Sequence, residues 1–251
     1  MTPPGELRVL PVAGLPELRE GMAVGGEIAE RAELRPGDVV VVAQKIVSKA
    51  EGRVRHLPSV EPGDEARRLA AALDKEPALV ELILEESHEV LRAERGLLIV
   101  ETRHGFVCAN AGIDSSNLPE PDSVCLLPRD PDASARRIRA ELREAAGLAP
   151  AVIVSDSFGR AWRLGQAEVA IGCAGIVPLD DWRGRHDAAG RELEATAIAV
   201  ADEAAAAADL VRDKASGVPA AIVRGLERFL SDEDGPGAAA LRRPRGEDLF
   251  R

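Results

Sequence analysis

Asp38-Val-Val-Val-Val-Ala43 runs without a break into Gln44-Lys-Ile-Val-Ser-Lys-Ala-Glu-Gly52. An acid followed by five apolar residues, four of them β-branched valines, has the length and composition of a strand buried on both faces. The polar groups Gln44, Lys45, Ser48 and Lys49 then arrive where a buried strand would tolerate none, so they belong at its end. Two lysines at a strand end can hold phosphates as point charges. A solvated basic turn accounts for them equally well.

Working outward, Leu7–Val12 reads as a first strand, Gly14-Leu-Pro-Glu17 as a turn, and Gly25–Leu34 as a short helix stopped by Pro36-Gly37. Helical spacing covers Pro62–Leu73, Pro77–Val90 and Glu192–Val211. Leu97–Glu101 and Phe106–Ala109 flank a hairpin turn at Thr102–Gly105. Asp130-Pro131-Asp132 supplies an N-cap, a proline at the first helical position and acid in the first turn of a helix that stops at Gly147. Ala151–Ser155, Glu168–Ala174 and Pro219–Val223 read as further strands, and the tail from Ser231 as loop or disorder. Strands and helices mix without a strict βαβ rhythm. This predicts an α+β fold, with mixed, mainly antiparallel sheets and packed helices.

The 251 residues, 45% hydrophobic, suffice for a sizeable core, as one large domain or two small lobes. No apolar run approaches the roughly 18–20 residues of a membrane span, and Met1–Glu6 shows no export signal, so a cytoplasmic protein without membrane attachment is expected. Three distant cysteines, Cys108, Cys125 and Cys173, argue against a disulfide framework and read as packing residues. A net charge of −11, aromatics at 2% and no tyrosine argue against nucleic acid as a partner. No Walker, dinucleotide, nucleophile-elbow or zincin motif occurs. Of the four histidines, His88 falls within the helical pattern, and His104 in its turn is the one of interest.

Two further segments place polar groups beside apolar strands. In Asn110-Ala-Gly-Ile-Asp114-Ser-Ser-Asn117 the carboxylate suits Mg2+ or Mn2+, or forms an Asx turn or helix N-cap, the commoner use of such residues. In Ser155-Asp-Ser157-Phe-Gly-Arg160-Ala-Trp-Arg163 an acid at a strand end offers a second metal ligand, and the two arginines an anion clamp. A surface turn with paired charges is the alternative. Acids, lysines and arginines together fit phosphoryl transfer, which rests on positioning and charge neutralisation.

The chain resembles the F-420 γ-glutamyl ligase family over Val40–Gly52, Glu101–Asp114, Leu127–Ala135, Ser155–Arg160, Gly190–Leu193, Ala201–Glu203, Gly217–Pro219, Val223–Gly225 and Arg243–Phe250. The last of these favours order in the tail. The resemblance implies a family-specific fold that forms an intertwined homodimer, with 1–251 as a single catalytic unit and no C-terminal flavin-binding domain. It implies a GTP-dependent ligase that joins L-glutamate to a deazaflavin coenzyme precursor through an acyl phosphate, using Mg2+ or Mn2+ (two ions) and K+. Asp114, Asp156 and Ser157 would ligate metal. Leu15, Pro16, Glu17, Leu18, Gln44, Lys45, Lys49 and Asn117 would border the nucleotide. Placing Arg160 and Arg163 near the reacting carboxylate is an inference beyond the resemblance.

The chain departs from the family at Trp162-Arg-Leu-Gly-Gln-Ala-Glu168, where relatives often read Trp-Arg-Asn-Gly-Gln-Thr-Asp, at His186–Ala189, and at Arg212-Asp-Lys214. These changes bear on the acceptor. They leave open a related GTP-dependent amide ligase with another acceptor, or a non-catalytic nucleotide-binding dimer.

Overall fold

The computed structural model describes residues 5–213 and 215–249; Met1–Pro4, Lys214, Phe250 and Arg251, which the sequence reading touched, lie outside the described residues. The valine run forms β2 (Val39–Ala43), the middle of a five-stranded sheet, with its four valines buried as their composition demands. β12 (Ala220–Arg224) and then β1 (Arg8–Val12) lie antiparallel on one side of it. On the other side β8 (Ala151–Arg160) pairs in parallel, and β9 (Arg163–Ala174) pairs antiparallel with β8. Three of the four pairings are antiparallel, in keeping with the expected α+β class.

Alternation along the strands sends Val40, Val42, Val152 and Val154 to one face, against α1 (Val24–Ala29), α2 (Gln44–Ala50) and α5 (Pro131–Ala146). Val39, Val41, Ala151 and Ile153 go to the other, against α6 (Val200–Asp209) and the C-terminal segment. Both faces are covered, so the strands lack polar alternation. A third cluster joins α3 (Asp64–Leu73) and α4 (Pro77–Glu85) to a three-stranded sheet of β4 (Ser87–Glu94), β5 (Leu97–Thr102) and β6 (Val107–Ala109). Two short pairs complete the structure: β3 (Val54–His56) with β7 (Ser123–Cys125), and β10 (Asp180–Asp181) with β11 (Ala197–Ile198).

The α5 signals are realised: the Asp130 carboxylate accepts from Ala133 N at 2.9 Å, and Gly147 closes the helix at φ 69°. Several boundaries differ from the sequence reading; the helix expected over Gly25–Leu34, for one, is Val24–Ala29. The helix expected over Pro77–Val90 stops at Glu85, because Ser87–Glu94 finds a ladder partner across the Arg95-Gly96 turn, both residues at positive φ. His88 is therefore on a strand, where it is exposed. The helix expected over Glu192–Val211 begins at Val200: Glu192 to Ala197 bury no face, and Ala197–Ile198 pair instead with β10. The segment after Ala43 is helix α2 rather than a turn, and Ser155–Arg163 belongs to the long β8–β9 hairpin rather than to a surface turn.

The described part of the tail, residues 231–249, is held by polar ties. Asp132 Oδ1 accepts from both Cys173 N (2.9 Å) and Ala238 N (2.7 Å), and buried Arg139 donates to Ser231 O (3.0 Å) and Asp234 Oδ1 (2.7 Å). Gly172 lets α5 reach β9: a Cβ there would lie 2.2 Å from the Pro131 carbonyl.

Candidate functional site

At the C-terminal end of β2 the chain turns directly into α2, whose Ser48 hydroxyl bonds the Gln44 side chain four residues earlier at 2.9 Å. That pair is buried, and it aligns Lys45 and Lys49 toward the loop after β6. The loop opens with three successive left-handed residues, Asn110 (φ 52°), Ala111 (φ 55°) and Gly112 (φ 70°). Such a run in L-residues costs about 1–2 kcal/mol per non-glycine position. It is held by packing: Ala111 is buried, and Asp114 exchanges both backbone hydrogen bonds with Cys125.

Asp114 makes the Asx-type turn and more. Its Oδ1 accepts from Ser116 N at 2.8 Å, while Oδ2 accepts from Ser116 Oγ at 2.8 Å and from Lys45 Nζ at 2.7 Å. Burial in the cleft pushes the carboxyl pKa up, but Lys45 and the two Ser116 donors outweigh it and leave it below the usual aspartate range. Lys45 also donates to Ser116 O (2.6 Å) and Ser116 Oγ (2.8 Å), so its ammonium has an acceptor for each of its three donors. Lys49 pairs with Glu17 and donates to Asn117 O at 3.1 Å.

A second wall comes from the β8–β9 hairpin. Ser157 stands opposite Glu168 in register, and its hydroxyl donates to Glu168 Oε1 at 2.5 Å. Arg212, just past α6, donates to Glu168 Oε2 at 2.9 Å and to Ser155 Oγ at 3.1 Å.

One cleft of about 1000 Å3 runs between these walls. It brings together Leu15, Pro16, Glu17, Leu18, Gln44, Lys45, Lys49, Asp114, Asn117, Asp156 and Ser157. Arg160 and Arg163 are not among its lining residues. They sit exposed at the hairpin tip, where Arg160 donates to Leu164 O at 2.7 Å. Sequence reading did not single out Asn110, Ser116 or Gln166 individually, and it treated Glu168 and Arg212 only as departures. One signal for Arg212 was available: it is the first basic residue after Arg191, at the end of an alanine-rich helix.

The cleft's donors are hard oxygens, from Asp114, Asp156 and Ser157, and the Asn110 Oδ1 atom is buried with no hydrogen-bond donor. That chemistry fits Mg2+ or Mn2+ rather than a thiolate or imidazole metal. Among the described residues, no group of three or more His, Cys, Asp or Glu side chains converges, so water and substrate oxygens would have to complete any shell. Glu168 is committed to Arg212 and does not join this set. The cysteines stay inert: burial, and for Cys108 the charge of Asp156, raise Cys108 and Cys173 to about 12 and Cys125 to about 11. No helix among the described residues is long and apolar enough to cross a membrane.

The family model described as F420-0:Gamma-glutamyl ligase matches residues 14–225. A coenzyme F420:L-glutamate ligase of Methanothermobacter thermautotrophicus is 49% identical over 228 residues, 90% of this chain and 88% of that protein. Proteins of the same name from Haloarcula marismortui (46% identical, over 98% of this chain and 96% of that one) and Methanopyrus kandleri (45%, over 98% of each) are similar along nearly their whole length.

Proposed function

The chain belongs to the F420-0:gamma-glutamyl ligase family, and from that membership we propose that it joins L-glutamate to the deazaflavin coenzyme F-420 precursor at the expense of GTP. The observation that carries this reading is the single cleft in which Lys45, Lys49, Asp114, Asp156 and Ser157 meet. A carboxylate is a poor electrophile, and phosphorylation activates it. Its oxygen attacks the γ-phosphorus, the bond to the β-phosphate oxygen breaks, and GDP leaves. The glutamate amine, having given up its ammonium proton, then attacks the acyl carbon, the carbon–oxygen bond to phosphate breaks, phosphate leaves, and the nitrogen gives up a second proton to become the amide. Two easier steps replace one direct condensation.

In this reading Lys45 and Lys49 border the phosphates, each exchanging an acceptor on the 114–117 loop for a phosphate oxygen. Gln44, Asn117 and Leu15–Leu18 frame the rest of the nucleotide. Asp114, Asp156 and Ser157 would hold the divalent ions, which with K+ would supply charge neutralisation at the transferring group. The active form is a homodimer: the hairpin tip exposes Trp162 (81%) and Leu164 (98%), apolar surface suited to a second copy. Arg160 and Arg163 enter the reading through that assembly.

Purified protein with GTP, Mn2+, L-glutamate and the precursor is the test. Glutamate-dependent GDP release with a matching mass gain of the precursor is expected. GDP release without mass gain would overturn the acceptor and favour a ligase of the same class acting on another carboxylate, a reading that Ala167 and the Arg212-bound Glu168 already motivate.

A further inference from the structure

Arg212 is 6% exposed and lines the cleft. Its Nη2 is engaged by Glu168 and Ser155, but its Nε and Nη1 are buried with no acceptor. A guanidinium cannot shed its charge, and it has five N–H donors in a fixed plane. Three of them, one on Nε and two on Nη1, are therefore left over. Buried donors are seldom left unmatched, and those that are call for an account such as a site awaiting a ligand.

The other cleft cations differ. Lys45 has three acceptors for its three donors, and Lys49 is held by Glu17 and Asn117. Glu168, fixed in turn by Ser157, anchors Arg212 rather than exhausting it. Such anchoring limits the side-chain freedom that a ligand would otherwise have to remove.

We propose that Arg212 is a substrate-binding residue whose Nε and Nη1 take the anionic oxygens of a carboxylate substrate on the β8–β9 wall. The inference rests on the ligase reading. The carboxylate has two possible sources, L-glutamate and the precursor's reacting end, and their chemistry toward a guanidinium is the same.

Calorimetric titration of L-glutamate, the precursor, GTP and the unreactive dicarboxylate glutarate into the parent and two variants tests this. Arg212→Met removes the donors but leaves Glu168 without its counter-charge. The double variant Arg212→Met with Glu168→Gln removes both charges together, so it keeps the test open if the single variant unfolds. In the folded variant, affinity for one carboxylate substrate is expected to fall at least about tenfold, as for loss of a charged hydrogen bond, with GTP affinity changed less than about threefold. Which substrate weakens identifies the source. Carboxylate affinities within about twofold of the parent's, or a parent that binds no carboxylate, would overturn the assignment. Arg212-dependent glutarate binding in a parent that ligates nothing would keep Arg212 and sink the ligase reading instead.

Discussion

The two walls of the cleft handle charge in opposite ways. On the α2 wall, Lys45 and Lys49 are matched by the loop that carries Asp114 and Asn117, and the Asp114 carboxylate has accepted three hydrogen bonds. On the β8–β9 wall, Arg212 is buried deeper and keeps two nitrogens without acceptors. The first wall is braced by its own residues, and a ligand must displace something to bind there. The second has donor capacity that only an incoming group can use. The proposed nucleotide-dependent ligation of two carboxylate substrates would use both behaviours: exchangeable cations for phosphates that arrive and leave, and a fixed cation for a carboxylate held in place.

Breaking the braced wall should have the largest effect. Asp114→Ala removes one of the three acceptors of Lys45 and a proposed metal ligand, and it should lower glutamate-dependent GDP release by about 100-fold or more. Full turnover would remove Asp114 from the metal site. Next comes the turn beneath it. Gly112→Ala places a Cβ at φ 70°, 2.9 Å from the Leu127 side chain. Overpacking and left-handed strain together should destabilise the fold by about 1–3 kcal/mol. At about 2–4 °C per kcal/mol for a chain of this size, a drop of several degrees in Tm is expected, and an unchanged Tm would mean that the loop adapts freely.

Acid titration sharpens the comparison more gently. Because the Asp114 pKa lies below its ordinary value, its contribution is complete above the usual aspartate pKa of about 3.9. It is lost as pH falls through the lowered value in the folded chain. Parent and Asp114→Asn should therefore differ in urea midpoint at pH 5–7, with the gap closing as pH falls below the usual aspartate range. The Asp114 side chain is 46% exposed, so the gap is small, but a gap that does not shrink on acidification would contradict ionic bracing. The smallest effect expected is from thiol chemistry. With all three cysteines raised to about 11–12, iodoacetamide at neutral pH should leave about nine-tenths of the activity or more. Rapid inactivation would place a reactive thiol in the cleft.

Much of this was legible in the chain because it is local. The valine run had to be a buried strand, Asp130-Pro131 had to start a helix, and Gly147 had to end one, since each needs only its neighbours. The segments carrying Lys45 and Asp114 could be recognised as polar groups following strands for the same reason, whereas Asp156, read as standing at a strand end, lies within β8, which continues to Arg160. Residues Pro77–Val90 and Glu192–Val211 misled because helical spacing over short windows competes with ladder partners that a single segment does not reveal. Family resemblance located the cleft's residues, yet it could not say how their charges are matched. Lys45 meets Asp114 across 69 residues of chain, and Arg212 meets Glu168 across 44. Pairings at that distance depend on how β2, the β6–β7 loop and the β8–β9 hairpin pack around one sheet. The sequence by itself determined the elements whose signals are local, such as β2 and α5, and marked Lys45 and Asp114 as polar groups following strands. Only the tertiary structure decided which cations are satisfied and which is left with donors to offer, because hydrogen-bond satisfaction is a property of neighbours in space.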